Sequence, residues 1–323
     1  VQIDAQRPIP PNAVLSIQLH RVNQDGITFS NVLDEQQSPI SEPKPVAFEL
    51  AYTRPDLVPI PGGGIPEAYL VYAELRAPGR VTWRAESEPL DLQTSPVSVT
   101  VMLTPPAHIG EISGTLTIPD QPTLPADAVL TVRLTSEDGY GGFDDNRAEL
   151  VVTPVKPGKL PFILEYLTMA IDAQHSYAIH AEVRVGAKLP LTSPLVPAIT
   201  QGQPTNVDAV LTPPKEIAAV TGTMMYEAGQ PLPADALLTV QIEDVSGADG
   251  PSYVLASHTM KPDSSPIPFA IEYDPALIRR SADYAVSAKI TAGEQLLFIT
   301  EMRNMVITSG DSKPVEMVLK RIK

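Results

Sequence analysis

Apolar and polar residues alternate strictly along three stretches of this chain: Leu15, Ile17 and Leu19; Leu130, Val132 and Leu134; Leu238, Val240 and Ile242. Ser16 and Gln18, Thr131 and Arg133, and Thr239 and Gln241 fill the gaps. A period of two puts every apolar side chain on one face, which predicts a half-buried β-strand three times over. The three stretches are also spelled alike, as IPPNAVLSI (9–17), LPADAVLTV (124–132) and LPADALLTV (232–240). Pro10, Pro125 and Pro233 are equivalent, at spacings of 115 and 108 residues, so the chain is built from three copies of one unit.

Two more signatures recur with the same period. The first is Phe48-x-Leu50-x-Tyr52, matched by Phe162-x-Leu164-x-Tyr166 and Phe269-x-Ile271-x-Tyr273. The second is Tyr69, Val71, Ala73, Leu75, matched by Tyr177, Ile179, Ala181, Val183 and by Tyr284, Val286, Ala288, Ile290. A small residue kept at the same inward position predicts the close approach of a second sheet. Variable strands near residues 150–155 and 252–260 bring each copy to about seven strands with no helical period. The copies close on VTVMLTPP, VDAVLTPP and VEMVLKRI, the first two ending in Pro-Pro pairs that read as short, stiff linkers. The expected architecture is all-β, with three tandem seven-stranded β-sandwich domains at 1–106, 107–214 and 215–323. ISGTLTI (112–118) and VTGTMMY (220–226) open the second and third copies, whereas the first retains only residues 1–3 in that register. Its first strand is therefore truncated, and an upstream segment is expected.

Composition narrows the function. A length of 323 residues suits two or three domains of ~100 to 150 residues. The 35 prolines read as punctuation between short strands. A formal charge of -15 without any Lys/Arg cluster argues against nucleic acid and against acidic membrane surfaces. The absence of cysteine excludes disulfides and thiolate metal sites. No apolar run reaches the ~18 residues of a membrane span.

Over the third copy the residues resemble the YbaY-like lipoprotein family, whose relatives include the YscW-type lipoprotein chaperones, or pilotins, of type III secretion. The matching elements are Gly222, LPADALLTV, Glu243-Asp244-Val245-Ser246, Ile267-Pro268-Phe269, Tyr273-Asp274-Pro275 and Tyr284-Ala285-Val286. The second copy departs at Thr135-Ser136-Glu137-Asp138, and the first carries an insertion at 58–67 with Gly62-Gly63-Gly64. The resemblance implies a transthyretin-like β-sandwich without enzymatic activity, in an outer-membrane lipoprotein facing the periplasm. It also implies a lipidated cysteine upstream of this chain as the one membrane attachment.

Candidate chemistry is sparse. No nucleophile elbow, P-loop or H-E-x-x-H motif occurs, and the five histidines lack metal-ligand spacing, so no catalytic, cofactor or metal site is expected. Asp138, Asp144, Asp145 and Asn146 depart from the calcium-loop spacing and read as a solvated turn. Glu49, Glu165 and Glu272 beside the second signature read as outward-facing strand charges. Trp83 aligns with Phe298, and it is a core residue or a partner contact. Tyr72, on the outward parity of its strand, and Tyr140 and Phe143, in a Gly-rich loop, are the other partner-binding candidates. What persists between copies is inward-facing or turn-forming, so a site is expected in the divergent segments at 23–43, 58–67, 138–148 and 246–252. The expected role is a scaffold or chaperone that binds an envelope protein, accepting a partner strand at an open sheet edge. A glycan or cell-wall binding module is the alternative.

Overall fold

The computed structural model describes residues 1–4, 6–23, 31–52, 67–92, 97–137, 146–226, 232–246, 253–262, 265–293, 295–309 and 314–322. The first copy contributes β1 (Gln2–Ile3), β2 (Ala13–Asn23), β3 (Asn31–Ile40), β4 (Glu67–Arg76), β5 (Trp83–Glu86) and β6 (Met102–Leu103). The second contributes β7 (Ile109–Ile118), β8 (Val129–Ser136), β9 (Asn146–Val152), β10 (Gly158–Leu167), β11 (Tyr177–Val185), β12 (Lys188–Thr192), β13 (Val196–Ala198) and β14 (Ala209–Val210). The third contributes β15 (Ala218–Tyr226), β16 (Ala236–Asp244), β17 (Tyr253–Met260), β18 (Ile267–Tyr273), β19 (Tyr284–Ala292), β20 (Gln295–Thr300), β21 (Asn304–Val306) and β22 (Val315–Arg321). Among the described residues no helix is long and apolar enough to cross a membrane.

The chain forms two compact units, Val1–Gly110 with Glu165–Ala170, and Glu111–Leu164 with Ile171–Lys323. In the first unit one layer is the antiparallel sheet β3-β2-β4-β5, and β1 pairs in parallel with β6. The alternation forecasts this core: Leu15, Ile17, Leu19, Val71, Ala73 and Leu75 are all buried. Ala73 lies directly opposite Ile17, where a larger side chain would collide with the facing layer. One segment departs from expectation, since part of the stretch 23–43 is the strand β3 rather than a loop. Gln36 and Gln37 pair there with Ile17 and Ser16.

In the second unit the same layout occurs twice. Strands β9-β8-β11-β12 form one sheet with β13 on β11, and β10-β7-β14 form another. In the third copy the two layers join through β20 and β22 into one run, β17-β16-β19-β20-β22-β15-β18. The corresponding contact of the second copy is a single bridge, Thr192 to Thr212. Ala181 faces Val132 and Ala288 faces Val240, repeating the small-against-branched pairing. The hydroxyls of Tyr177 and Tyr284 are buried and accept from the backbone N–H of Asp172 and Arg279, which satisfies each oxygen in place.

The opening strand of each of these copies is pinned by one glycine. Gly114 and Gly222 sit between the closing strand and the aromatic signature. A Cβ on Gly114 would overlap the Val207 carbonyl oxygen and lie 2.9 Å from the Phe162 ring. On Gly222 it would overlap the Val315 carbonyl oxygen and lie 2.7 Å from Phe269. The backbones are this close because β15 is a central strand, antiparallel to β18 (Gly222 opposite Phe269) and parallel to β22 (Gly222 opposite Val315).

Candidate functional site

Residues 48–52 carry the same Phe-x-Leu-x-Tyr signature as β10 and β18 but form no strand. In the third copy, β18 is laddered to β15 from Met224 opposite Ile267 to Ala218 opposite Tyr273. In the first copy Val1 and Val46 stand at the equivalent of Met224 and Ile267, and their backbone groups exchange bonds of 2.7 and 2.9 Å. Beside that pair lies a groove of about 550 Å³, lined by Phe48, Leu50, Tyr52, Leu19, Val71 and Val99 among others. Phe48 and Leu50 are half-buried, whereas their counterparts Phe162, Leu164, Phe269 and Ile271 are buried.

Both rims of the groove carry backbone polar groups. The N–H groups of Glu49 and Ala51 turn away from it, to the side chains of Gln36 and Asp34 on β3. On the other rim the second copy supplies the register: Ser113 donates to the Thr205 carbonyl and accepts from the Val207 N–H. Residues 205 and 207 correspond to Val97 and Val99, which line the groove of the first copy.

A different feature recurs at Glu272 and Glu165, which align with each other and with Ala51. Within the second unit, Glu272 on β18 receives the turn between β11 and β12. Its backbone N–H donates to the Ala187 carbonyl, while its carboxylate accepts from Lys188 Nζ at 2.7 Å and from the Leu189 N–H at 2.9 Å. Gly186, at φ +56°, permits this two-residue turn. Burial raises the Glu272 pKa, but the bonds from Lys188 and Leu189 and the charge of Arg184 outweigh it, and the net shift is downward. Within the first unit, Glu165 is buried and accepts from Arg80 at 2.9 Å, Arg7 at 3.1 Å and the Val81 N–H at 3.2 Å. These carboxylates are therefore seats for a hairpin turn and are not solvated charges. Glu49 lies two residues earlier and does not share their position. Glu272→Ala should speed hydrogen exchange at the Leu189 amide and lower stability by about 1–2 kcal/mol, read by exchange mass spectrometry and urea unfolding.

Strand β11 is buried along nearly its whole length, with His180 and Glu182 as well as Tyr177, Ile179 and Ala181. Its second face meets the third copy: Arg184 donates to the Glu272 carbonyl at 2.9 Å, and His180 lines a small cavity with Leu255, Leu277 and Tyr284. His180 Nε2 bonds Thr192 Oγ1 at 3.0 Å, and burial lowers its pKa.

The sequence candidates scatter. Trp83 is 1% exposed, pairs with Leu75 in the core, and so presents no surface to a partner. Its counterpart Phe298 is likewise buried. Tyr72 is half-buried, its ring tilted against His20 at 4.6 Å, and a hydrogen bond with Glu86 raises its pKa. Tyr140 and Phe143 lie outside the described residues, as do Asp138, Asp144 and Asp145. Among the described residues no group of His, Asp and Glu could hold a metal ion.

The fold defines an all-β protein built from tandem copies of one unit. The chain belongs to the YscW family, type III secretion system lipoprotein chaperones, whose model matches residues 107–211 and again 215–319. A relative from Escherichia coli (strain K12), "Uncharacterized lipoprotein YbaY", is 36% identical over 111 residues, covering 34% of this chain and 58% of that protein. The chain thus spans less than two thirds of this relative's length. The alternative pilotin of the type II secretion system of Vibrio cholerae is a similar solved structure, at 35% identity with a TM-score of 0.32. It covers 33% of this chain and 99% of its own.

Proposed function

We propose that this chain is a non-catalytic lipoprotein of the bacterial envelope that binds or chaperones another protein, with three domains divided near residues 106 and 214. The observation that carries this reading is the family match over two of the three copies, to type III secretion system lipoprotein chaperones. An open edge of a sheet recognises an extended polypeptide through main-chain bonds and alternate side chains. Outer-membrane anchoring toward the periplasm, through a lipid attached upstream, fits the same family description. The glycan reading loses support because its aromatic platform would have been Trp83, which is buried.

The full chain, used as bait on detergent-solubilised envelope at moderate salt, is expected to retain one discrete protein, which then binds in purified form at a fixed ratio. Retention of glycan or lipid alone would overturn the proposal. Tyr72, with Tyr140 and Phe143, is proposed as a secondary contact. Tyr72→Ala combined with Tyr140→Ala and Phe143→Ala should weaken the purified complex about tenfold and keep the strand content, measured by calorimetric titration and circular dichroism.

A further inference from the structure

We infer that the junction between the second and third copies is a pH-sensitive joint, closed while His180 and His258 are neutral and loosened when they take up protons. The inference is independent of the protein-binding reading and starts from where the two rings stand. His180 lies on β11 and is 3% exposed, on the face of that strand that meets the third copy. His258, half-buried on β17, approaches the turn between β11 and β12 from the third copy: a Cβ on Gly186 would lie 3.2 Å from its Cε1. Each copy therefore presents one histidine to the same junction.

The surroundings suit neutral rings. His180 bonds Thr192 Oγ1 through Nε2, and the carboxylates nearest to it are already engaged. Glu182, two residues along the strand, accepts from Arg184 and Arg133. Asp244 lines the same cavity of about 50 Å³ from the third copy and is held by Arg279 at 2.6 Å. Arg133 stands directly opposite His180 on β8 and also bonds Glu149 of β9. Lys188 at the start of β12 is bonded to Glu272. Glu137 at the cavity is half-buried, and Asp274 ahead of the Pro275 turn favours a proton on His180, as Glu182 does. Burial outweighs that pull and lowers the His180 pKa. Burial and then the charge of Arg184 lower that of His258.

A histidine whose pKa is depressed in the closed joint binds its proton better once the joint opens. Closure is therefore fully favoured above the ordinary histidine value of about 6.5 and is withdrawn as the pH falls through it. Glu182 acts in a separate window, since its stabilisation is complete above pH 4.5. What loosens is the set of bonds between the copies: Arg184 to the Glu272 carbonyl, and Lys188 and the Leu189 N–H to the Glu272 carboxylate.

The test is hydrogen exchange on the full chain at about pH 7.5 and about pH 5.5, corrected for the intrinsic pH dependence of exchange. Protection at the Leu189 and Glu272 amides, which bond across the junction, should fall about tenfold at the lower pH. Protection along β8 and β16, inside each copy's own sheet, should hold. His180→Gln, whose amide can still bond Thr192, combined with His258→Gln should remove the pH dependence while circular dichroism shows the same strand content. Proton NMR of the unsubstituted chain gives a readout that needs no variant to fold: the ring signals of His180 and His258 should titrate below about 6.5. Equal protection of the junction amides at both pH values, a pH dependence that survives in the double variant, or a His180 ring that titrates at or above the ordinary value overturns the inference.

Discussion

Gly222→Ala is expected to destabilise the third copy by about 3 kcal/mol, at the upper end of what overpacking costs. The added methyl overlaps a backbone carbonyl, Val315 O, and presses on the Phe269 ring. The ring can turn aside, but the carbonyl belongs to the β15 to β22 ladder and moves only if that ladder opens. Gly222→Ala with Phe269→Leu should therefore recover little of the loss, which separates a backbone clash from simple crowding of the aromatic. Thr221→Ala, one residue away and exposed, should stay within about 0.5 kcal/mol of the parent. Because several copies unfold in one chain, a single midpoint is a poor readout. Hydrogen exchange along β15, β18 and β22 against urea locates the effect. Uniform protection in Gly222→Ala would mean that the three strands are further apart than described. Gly114→Ala should behave alike in the second copy, where the overlap with Val207 O is closer.

That glycine was legible as part of a repeated ISGTLTI and VTGTMMY, and so was most of the frame. Alternation placed Leu15, Ile17 and Leu19 and their counterparts inside because one buried face is all that a period of two requires. It could not say what covers the other face. His180 and Glu182 lie at outward parity on β11, yet both are buried, because a neighbouring copy packs there and contributes Glu272 and Tyr284. Parity reports the faces of a strand, whereas burial depends on partners far away in sequence. The seats at Glu165 and Glu272 were hidden for a related reason. Their carboxylates stand at the Ala51 position of the first copy, and only contact with a distant turn distinguishes them from the exposed Glu49. Residues 48–52 show the reverse, having the strand pattern without forming a strand.

The buried charge on β11 yields the second large effect. Glu182 is 3% exposed and accepts from Arg184 at 3.0 and 3.2 Å and from Arg133 at 3.2 Å. Burial alone would raise its pKa, but the charges of Arg184, Arg133 and His180, with the Arg184 hydrogen bond, bring it from 4.5 to about 2. A folded pKa below the unfolded one means that the unfolded chain binds the proton more readily. The stabilisation is therefore complete above pH 4.5 and is lost as the pH falls toward 2. The shift corresponds to about 3 kcal/mol. His180, with its pKa also lowered, acts in the same direction and starts to withdraw stability as the pH drops through 6.5. Glu182→Gln should cost about 3–5 kcal/mol at neutral pH, because the guanidinium groups of Arg184 and Arg133 lose the buried carboxylate charge between them and the amide keeps only one accepting oxygen. The variant should also unfold with a flatter acid profile. The gap between parent and variant, measured by urea unfolding from pH 7 to pH 2, should hold steady down to about pH 5 and narrow below it. A gap that stays constant throughout would assign the loss to packing and remove the Glu182 charge from the account of how the second and third copies are held together.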